Sequence, residues 1–372
     1  MRIVHCITTL GVGGAEKHLL WLATEQQKRG HEVSVLYLKG EGELAPSFTE
    51  REISVDHVPL GSLLQGPAVA RVLVERAAGR GVDIFHTHLL KADAVGALAR
   101  PRMEAGALVS SKHNDERALL SLPIGLAHGW LMKRADAIVA LSDHVAAFTS
   151  RHGRVPAHRI RRIYYGVDGK DIQPKTDRKK VRKALGIAQN APLLISVGRL
   201  SPQKDHPTLL RSFALLPEDT QLLVVGGDPF GDGEARLPAL AEELGVATRT
   251  HFLGIRDDVP DLLGASDLFV LSSLWEGLGL VFLEAMAVGL PVVATSVSAV
   301  PEVVTHGKTG WLVPPKEPKA LAEALIEALD HPAERATRGA LGKNRLAEVF
   351  DLDVMVDQIM EVYEAALGER KS

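Results

Sequence analysis

The stretch 274-LWEGLGLVFLEAMAVGLPVVAT-295 decides how the chain is read. Two carboxylates, Glu276 and Glu284, interrupt a run that otherwise looks built for burial, and Gly277 and Gly279 crowd the first of them. An unpaired carboxylate is costly to bury, so each needs a partner or a polar cleft. Residues 277–294 are apolar and long enough to raise the question of a membrane span. Glu284 in their middle and the breakers Gly289 and Pro291 argue against one, and VVAT then reads as a strand. The stretch is therefore a loop, a core helix, a turn and a buried strand.

Working outward, the same alternation fills the chain. In the first half the strand-like runs are RIVHCIT, EVSVLYL, DIFHTH, ALVSSKH, AIVALS and RIRRIYYG; in the second they are PLLISVG, QLLVVGG, HFLG, LFVLSS, PVVATSV and GWLVP. Amphipathic segments separate them, such as AEKHLLWLATEQQKRG, which ends at Gly30 as a helix C-terminus should. Strand–helix alternation means βαβ units and parallel, doubly wound sheets. Residues 169–191 are polar and charged and mark a linker, placed near 169. The expected domains are 1–168 and 169–350, with 351–372 as one amphipathic terminal helix capped by Asp351 or Asp353. Two such sheets would face a central cleft, with ligands at the carboxyl ends of the strands.

Composition bounds the function. The 372 residues exceed what one core usually serves. At 46% hydrophobic and 24% charged the chain reads as an ordinary globular protein, and a net charge of −3 gives no reason to expect nucleic acid. Cys6 is the one cysteine, so no intrachain disulfide can form, and no secretory signal precedes the first strand. Both points suggest a cytoplasmic protein.

The chemistry-bearing motifs follow strands. GVGGAEKH (11–18) opens a helix, where Gly13 and Gly14 permit close backbone approach and the helix end favours an anion. It is not a dinucleotide fingerprint, because the third glycine would fall on Glu16. Arg199 and Lys204, in VGRLSPQKD, suit a diphosphate: a bidentate fork and a point charge. Glu276 precedes a helix running from about Gly279 to Val288, and Glu284 lies within it. Continuous helix would set the two about 80° apart, so they need not share a face; the readings are two groups of one ligand, or a first-turn carboxylate favoured by the helix dipole with Glu284 salt-bridged. His113 ends ALVSSKH, where a strand end meets substrate. His86 and His88 share one strand face and invite a metal, but spacing shows no third ligand, and none is expected to bind. HGKTG (306–310) lacks the first glycine of a phosphate loop, and DLD (351–353) reads as a helix cap rather than a metal site.

Together these pieces resemble the retaining glycosyltransferases of the GT-B fold, in the GT4 family. The resemblance rests on GVGGAEKH, SKHN, IYYGVD, VGRLSPQKD and above all the paired glutamates of EGLGLVFLE. It implies two Rossmann-like domains, the terminal helix crossing back to the first. It implies that Arg199 and Lys204 hold the donor diphosphate, that Glu276 with Gly277, Leu278, Gly279 and Leu280 holds the donor sugar and phosphate, and that Glu284 binds the ribose. His113 would meet the sugar from the other domain, and Gly13 and Gly14 would lie near the phosphate or acceptor. The chain departs from the family at Tyr165, in YGVD, where asparagine is common, and at GGD (226–228), where GDG is common. The implied activity is transfer of a hexosyl group from a UDP- or GDP-sugar to a glycan or lipid-linked acceptor in envelope polysaccharide synthesis, with no cofactor. A nucleotide-sugar epimerase on the same scaffold and a non-catalytic binding subunit are the alternatives. The basic and apolar HGWLMKRAD also suggests peripheral membrane contact. Oligomeric state is not legible.

Overall fold

The computed structural model describes residues 1–62, 65–78, 81–103, 106–228 and 233–368. The last residues of the expected terminal helix, 369–372, lie outside that set. The chain forms two compact units, Met1–Gly166 with Leu352–Ser372, and Val167–Asp351. The sequence put the linker near 169; the division falls between Gly166 and Val167, where Val167 already bridges to Asp351.

The first unit holds β1 (Arg2–Thr9), β2 (Glu32–Lys39), β3 (Ser54–His57), β4 (Ile84–His88), β5 (Ala107–Lys112), β6 (Ala137–Ala140) and β7 (Ile160–Arg162). They make one parallel sheet in the order β3-β2-β1-β4-β5-β6-β7. The second unit holds β8 (Leu193–Val197), β9 (Gln221–Val225), β10 (Thr250–Gly254), β11 (Leu268–Leu271), β12 (Val292–Thr295) and β13 (Gly310–Val313), in the order β10-β9-β8-β11-β12-β13. Both sheets are doubly wound, as expected. Strand β3 was not read from the sequence, because this short edge strand is partly exposed and shows no apolar run.

In each sheet the strand order reverses once, between β1 and β4 and between β8 and β11. Loops diverge there and leave a crevice at the carboxyl edge. The GVGG loop and the end of β4 sit at the first reversal. The loops carrying Arg199, Lys204 and Glu276 sit at the second.

Period-two alternation sorts the first core. Val4, Phe85 and Leu108 pack on one face, with Val69 and Leu73. Ile3, Ile84, Ala107 and Val109 pack on the other, against Met355, Val356, Ile359, Val362 and Tyr363 of the terminal helix Leu352–Gly368. Burying each large aliphatic side chain there contributes roughly 1.5–3 kcal/mol. His5, His86 and His88 share the strand parity of Ile3 and Ile84, so they point to the terminal-helix side of the sheet.

In the second unit, helix Leu280–Ala287 starts after Gly279, which has φ 83°, and ends before Gly289, with φ 72°. Phe282 is fully buried and meets Phe269 edge-on, with centroids 5.7 Å apart. Its ring fills the space where a Cβ on Gly279 would stand. Phe282→Ala should cost about 3–5 kcal/mol. Urea unfolding followed by circular dichroism should show an earlier transition of the second unit; an unmoved midpoint would mean that the ring supports nothing.

Candidate active site

The second unit assembles a site at the β8/β11 reversal. The loop after β8 runs through Gly198, Arg199 and Lys204, and Asp205 turns the chain with φ 46° into helix His206–Phe213. A Cβ at Gly226 would lie 2.0 Å from the carbonyl oxygen of Gly198, so the loops after β8 and β9 can touch only because glycine stands there. Ser272, just past β11, donates from Oγ to the carbonyls of Lys204 and Asp205 at 2.9 Å and ties the two loops together.

Glu276 is 4% exposed. Its Oε1 accepts from Lys204 Nζ at 2.5 Å and from Ser273 Oγ at 2.6 Å. Its Oε2 faces Gln203 Nε2 at 3.5 Å. Glu276 therefore has a cation as its partner within the fold itself. Lys204 is 8% exposed, and an ammonium has three donors, so the pair leaves it capacity for further acceptors. Arg199 differs: its side chain is exposed and makes no ion pair or hydrogen bond among the described residues.

Gly277, Leu278 and Gly279 form the turn between Glu276 and the helix, and Leu280 opens it. Leu278 is buried under the turn. Glu284 lies inside that helix and is buried, whereas Glu276 stands outside it. The two carboxylates are thus held by different elements. Among the described residues, Ser196 Oγ, Ser201 Oγ and His206 Nε2 are buried here without a hydrogen-bond partner. Burial, and then the Lys204 charge, lower the His206 pKa to about 4, so it is neutral at pH 7. A cavity of about 160 Å³, lined by Leu200, Val224, Gly226, Phe252 and Gly254, lies beside the same loops.

In the first unit, Gly13 caps helix Gly14–Lys28 in extended conformation, and Gly14 is exposed. The helix end has an anion of its own. Glu16 Oε1 accepts from Thr9 Oγ1 at 2.8 Å, and a Cβ on Gly13 would come within 2.4 Å of Glu16 Oε2. The residue that spoiled the dinucleotide fingerprint folds back over the helix start, where its charge complements the dipole.

His113 is the first residue past β5 and is buried. Its Nε2 bonds His88 Nδ1 at 2.9 Å and its Nδ1 bonds the Tyr165 hydroxyl at 2.6 Å. His18, on the first helix, stacks on Tyr165 at 4.2 Å, and its Nδ1 has no partner. Burial lowers the His113 pKa to about 3; Asp93 opposes that and Lys112 adds to it. Lys112 itself is paired with Asp93 in the interior and bonds His128 Nε2 at 3.0 Å. Spacing had shown no third partner for His86 and His88. The structure supplies His5 from the neighbouring strand, the three ligand atoms lying within 4.8 Å of one another. Register across β1 and β4 places His5 opposite His86, which sequence spacing cannot show. Tyr165, His18 and Gln26 were likewise missed as parts of one cluster; only the YGVD departure drew notice to Tyr165.

Comparison with known proteins identifies the class. Residues 177–345 match the family described as Glycosyl transferases group 1, and residues 12–170 match Glycosyltransferase Family 4. The lipopolysaccharide core biosynthesis mannosyltransferase LpsB of Rhizobium meliloti (strain 1021) is 34% identical over 249 residues, 64% of this chain and 69% of that one. A D-inositol 3-phosphate glycosyltransferase of Mycobacterium tuberculosis (strain ATCC 25177 / H37Ra) is 31% identical over 96% of this chain and 80% of its own. The crystal structure of Anabaena Alr3699/HepE in complex with UDP-glucose superimposes with a TM-score of 0.89 at 27% identity, covering 98% of this chain and all of that one. The chain belongs to the GT4 glycosyltransferases of GT-B fold, and is a glycosyltransferase.

The Lys204–Glu276 pair generates a test. Lys204→Ala alone should strand a buried carboxylate and cost about 3–5 kcal/mol. Lys204→Ala with Glu276→Ala should cost less than the sum of the single changes. A double-mutant cycle in urea that returns additive losses would show that the pair is not coupled.

Proposed function

We propose that the protein transfers a hexosyl group from a UDP-linked sugar to a glycan or lipid-linked acceptor, with retention of anomeric configuration and without a metal or other cofactor. GDP is the alternative base. The carrying observation is the free Arg199 guanidinium beside the Lys204–Glu276 pair at the sheet reversal. Arg199 and the spare donors of Lys204 suit the diphosphate, whose negative charge grows as it leaves. Preorganised cations stabilise that growing charge without rearranging. Glu276 suits the sugar hydroxyls and also orients Lys204. Glu284 suits the ribose. The cavity under Leu200 and Phe252 suits the base. The solved neighbour's UDP-glucose and the relatives named for lipopolysaccharide and inositol-phosphate transfer support a UDP donor and an envelope pathway.

The proposed step is a front-face displacement. The bond between the anomeric carbon and the diphosphate oxygen breaks, and Arg199 and Lys204 take up the charge. The leaving phosphate accepts the acceptor hydroxyl's proton, and the acceptor oxygen bonds the anomeric carbon on the face that the phosphate left.

Calorimetric titration without added metal should show UDP binding more tightly than GDP. Arg199→Ala should cut transfer at least about a hundredfold, the scale of losing one charge-stabilising donor. Its thermal midpoint should not move, because the side chain bonds none of the described residues. Near-normal transfer would remove Arg199 from the mechanism, and an inverted product anomer would remove the front-face step.

A membrane-borne acceptor has its own support. No helix among the described residues is long and apolar enough to cross a membrane. Helix Leu122–Met132 nevertheless exposes Leu122, Leu126 and Trp130, each 56% accessible and spaced by one helical turn. Arg134 lies over the Trp130 ring at 4.0 Å, and Lys133 is exposed beside it. An apolar stripe edged by cations fits an anionic bilayer surface. The protein should co-sediment with vesicles containing anionic lipid, and Leu126→Glu with Trp130→Ser should abolish this; sedimentation unchanged by that double substitution would refute the stripe's role.

A further inference from the structure

A continuous hydrogen-bonded chain crosses the interior of the first unit. Gln26 Oε1 meets His5 Nε2 at 2.8 Å, and His5 Nδ1 meets His88 Nε2 at 3.0 Å. His88 Nδ1 meets His113 Nε2 at 2.9 Å, and His113 Nδ1 meets the Tyr165 hydroxyl at 2.6 Å. Every ring in it is buried. Burial lowers the pKa of His5 to about 4 and that of His113 to about 3, and holds His88 well below its ordinary value. Each ring is then neutral at pH 7, with one N–H to give and one lone pair to receive.

A chain of neutral imidazoles has a direction, and its end fixes it. The Gln26 carbonyl oxygen can only accept, so His5 carries its hydrogen on Nε2. His5 Nδ1 must then accept from His88 Nε2, His88 Nδ1 from His113 Nε2, and His113 Nδ1 from the Tyr165 hydroxyl. The Met360 sulfur, which can only accept, lies 3.9 Å from Gln26 Nε2 and favours that amide orientation, and a branch runs in the same direction. Gln26 Nε2 donates to the Tyr363 hydroxyl at 3.3 Å, Tyr363 donates to His86 Nδ1 at 2.6 Å, and His86 Nε2 donates to Ser111 Oγ at 2.7 Å. Reversing the chain requires the amide to turn over and both branches to reverse together.

We propose that Gln26, His5, His88 and Tyr165 are positioning residues that lock His113 in one orientation and one tautomer, with hydrogen on Nε2. This rests on the transferase reading, in which the family resemblance gives His113 a catalytic part. His113 is held inside a rigid row of bonded side chains anchored in the sheet and the terminal helix, its ring fixed through both nitrogens. The departure from the family at Tyr165 gains a purpose: its hydroxyl closes the chain, and its ring stacks on His18. The competing use of these side chains is a metal held by His5, His86 and His88. A metal needs one lone pair from each ring directed at a common point, whereas His5 Nδ1 and His88 Nε2 are bonded to each other through one hydrogen.

The groups facing the chain are Asp93 and Lys112 toward His113, Glu16 toward Tyr165, and His18 and His86 among the rings. The test is a long-range proton–nitrogen spectrum of the full chain labelled with 15N-histidine. His5, His88 and His113 should each appear as the neutral Nε2–H tautomer and stay so from about pH 5.5 to 8, well above their lowered pKa values. Tyr165→Phe should keep that tautomer, since Gln26 still sets the direction, while lowering kcat at least about tenfold with UDP affinity unchanged. Gln26→Leu removes the anchor and should give mixed tautomers at His113 with a similar fall in kcat. Gln26→Glu, which can still accept from His5, should restore the single tautomer. An Nδ1–H or mixed His113 in the unaltered protein, a stoichiometric metal by elemental analysis, or unchanged tautomers and kcat in Gln26→Leu would overturn the proposal. Absence of turnover or of nucleotide binding in the unaltered protein would instead overturn the transferase assignment, and the tautomer spectrum reads independently of it.

Discussion

A carboxylate at 4% exposure cannot stand alone, and the second unit is arranged around that constraint. Lys204 comes to Glu276 from the loop after β8, and Glu276 comes from the loop after β11. Those strands are neighbours only because the sheet order reverses between them. Their pairing closes the crevice floor and fixes a cation there. Gly198 and Gly226 let the loops approach, and Ser272 and Ser273 lock them. Most of the site's geometry follows from compensating one buried charge.

The two units solve the same topological problem differently. At its reversal the first unit pairs most of its polar groups with one another, although His18 Nδ1 and Asn114 Oδ1 have no partner among the described residues. Glu16 covers the helix start, Lys112 is neutralised by Asp93, and the histidine rings serve one another. The second unit leaves polar capacity unused, in the free Arg199 and in the partnerless atoms of Ser196, Ser201 and His206. Unused donors beside a fixed cation suit a charged ligand, whereas a closed network suits rigidity. The open polar groups thus gather in the second unit and the closed network in the first.

Local period made much of this legible in the sequence. Apolar runs placed the strands, and Gly30, Gly279 and Gly289 marked helix ends, because positive φ favours residues without a Cβ. The limits had physical causes. Strand β3 lacks an apolar run because it is an edge. The anion expected at Gly13 and Gly14 meets a carboxylate from the same helix, since Glu16 is one turn along and curls back. The expected sugar partner of Glu276 is preceded by Lys204, which only folding brings near.

The alternation of strand and helix, the doubly wound class and the family are written in local sequence, because they rest on short periods and on motifs within one loop. Tertiary structure alone decided the partners. Register set His5 beside His86, the strand reversal set Lys204 on Glu276, and the return of the terminal helix set Tyr363 against Gln26. Burial gives such pairs their energy, and burial is a property of the packed chain rather than of any one segment.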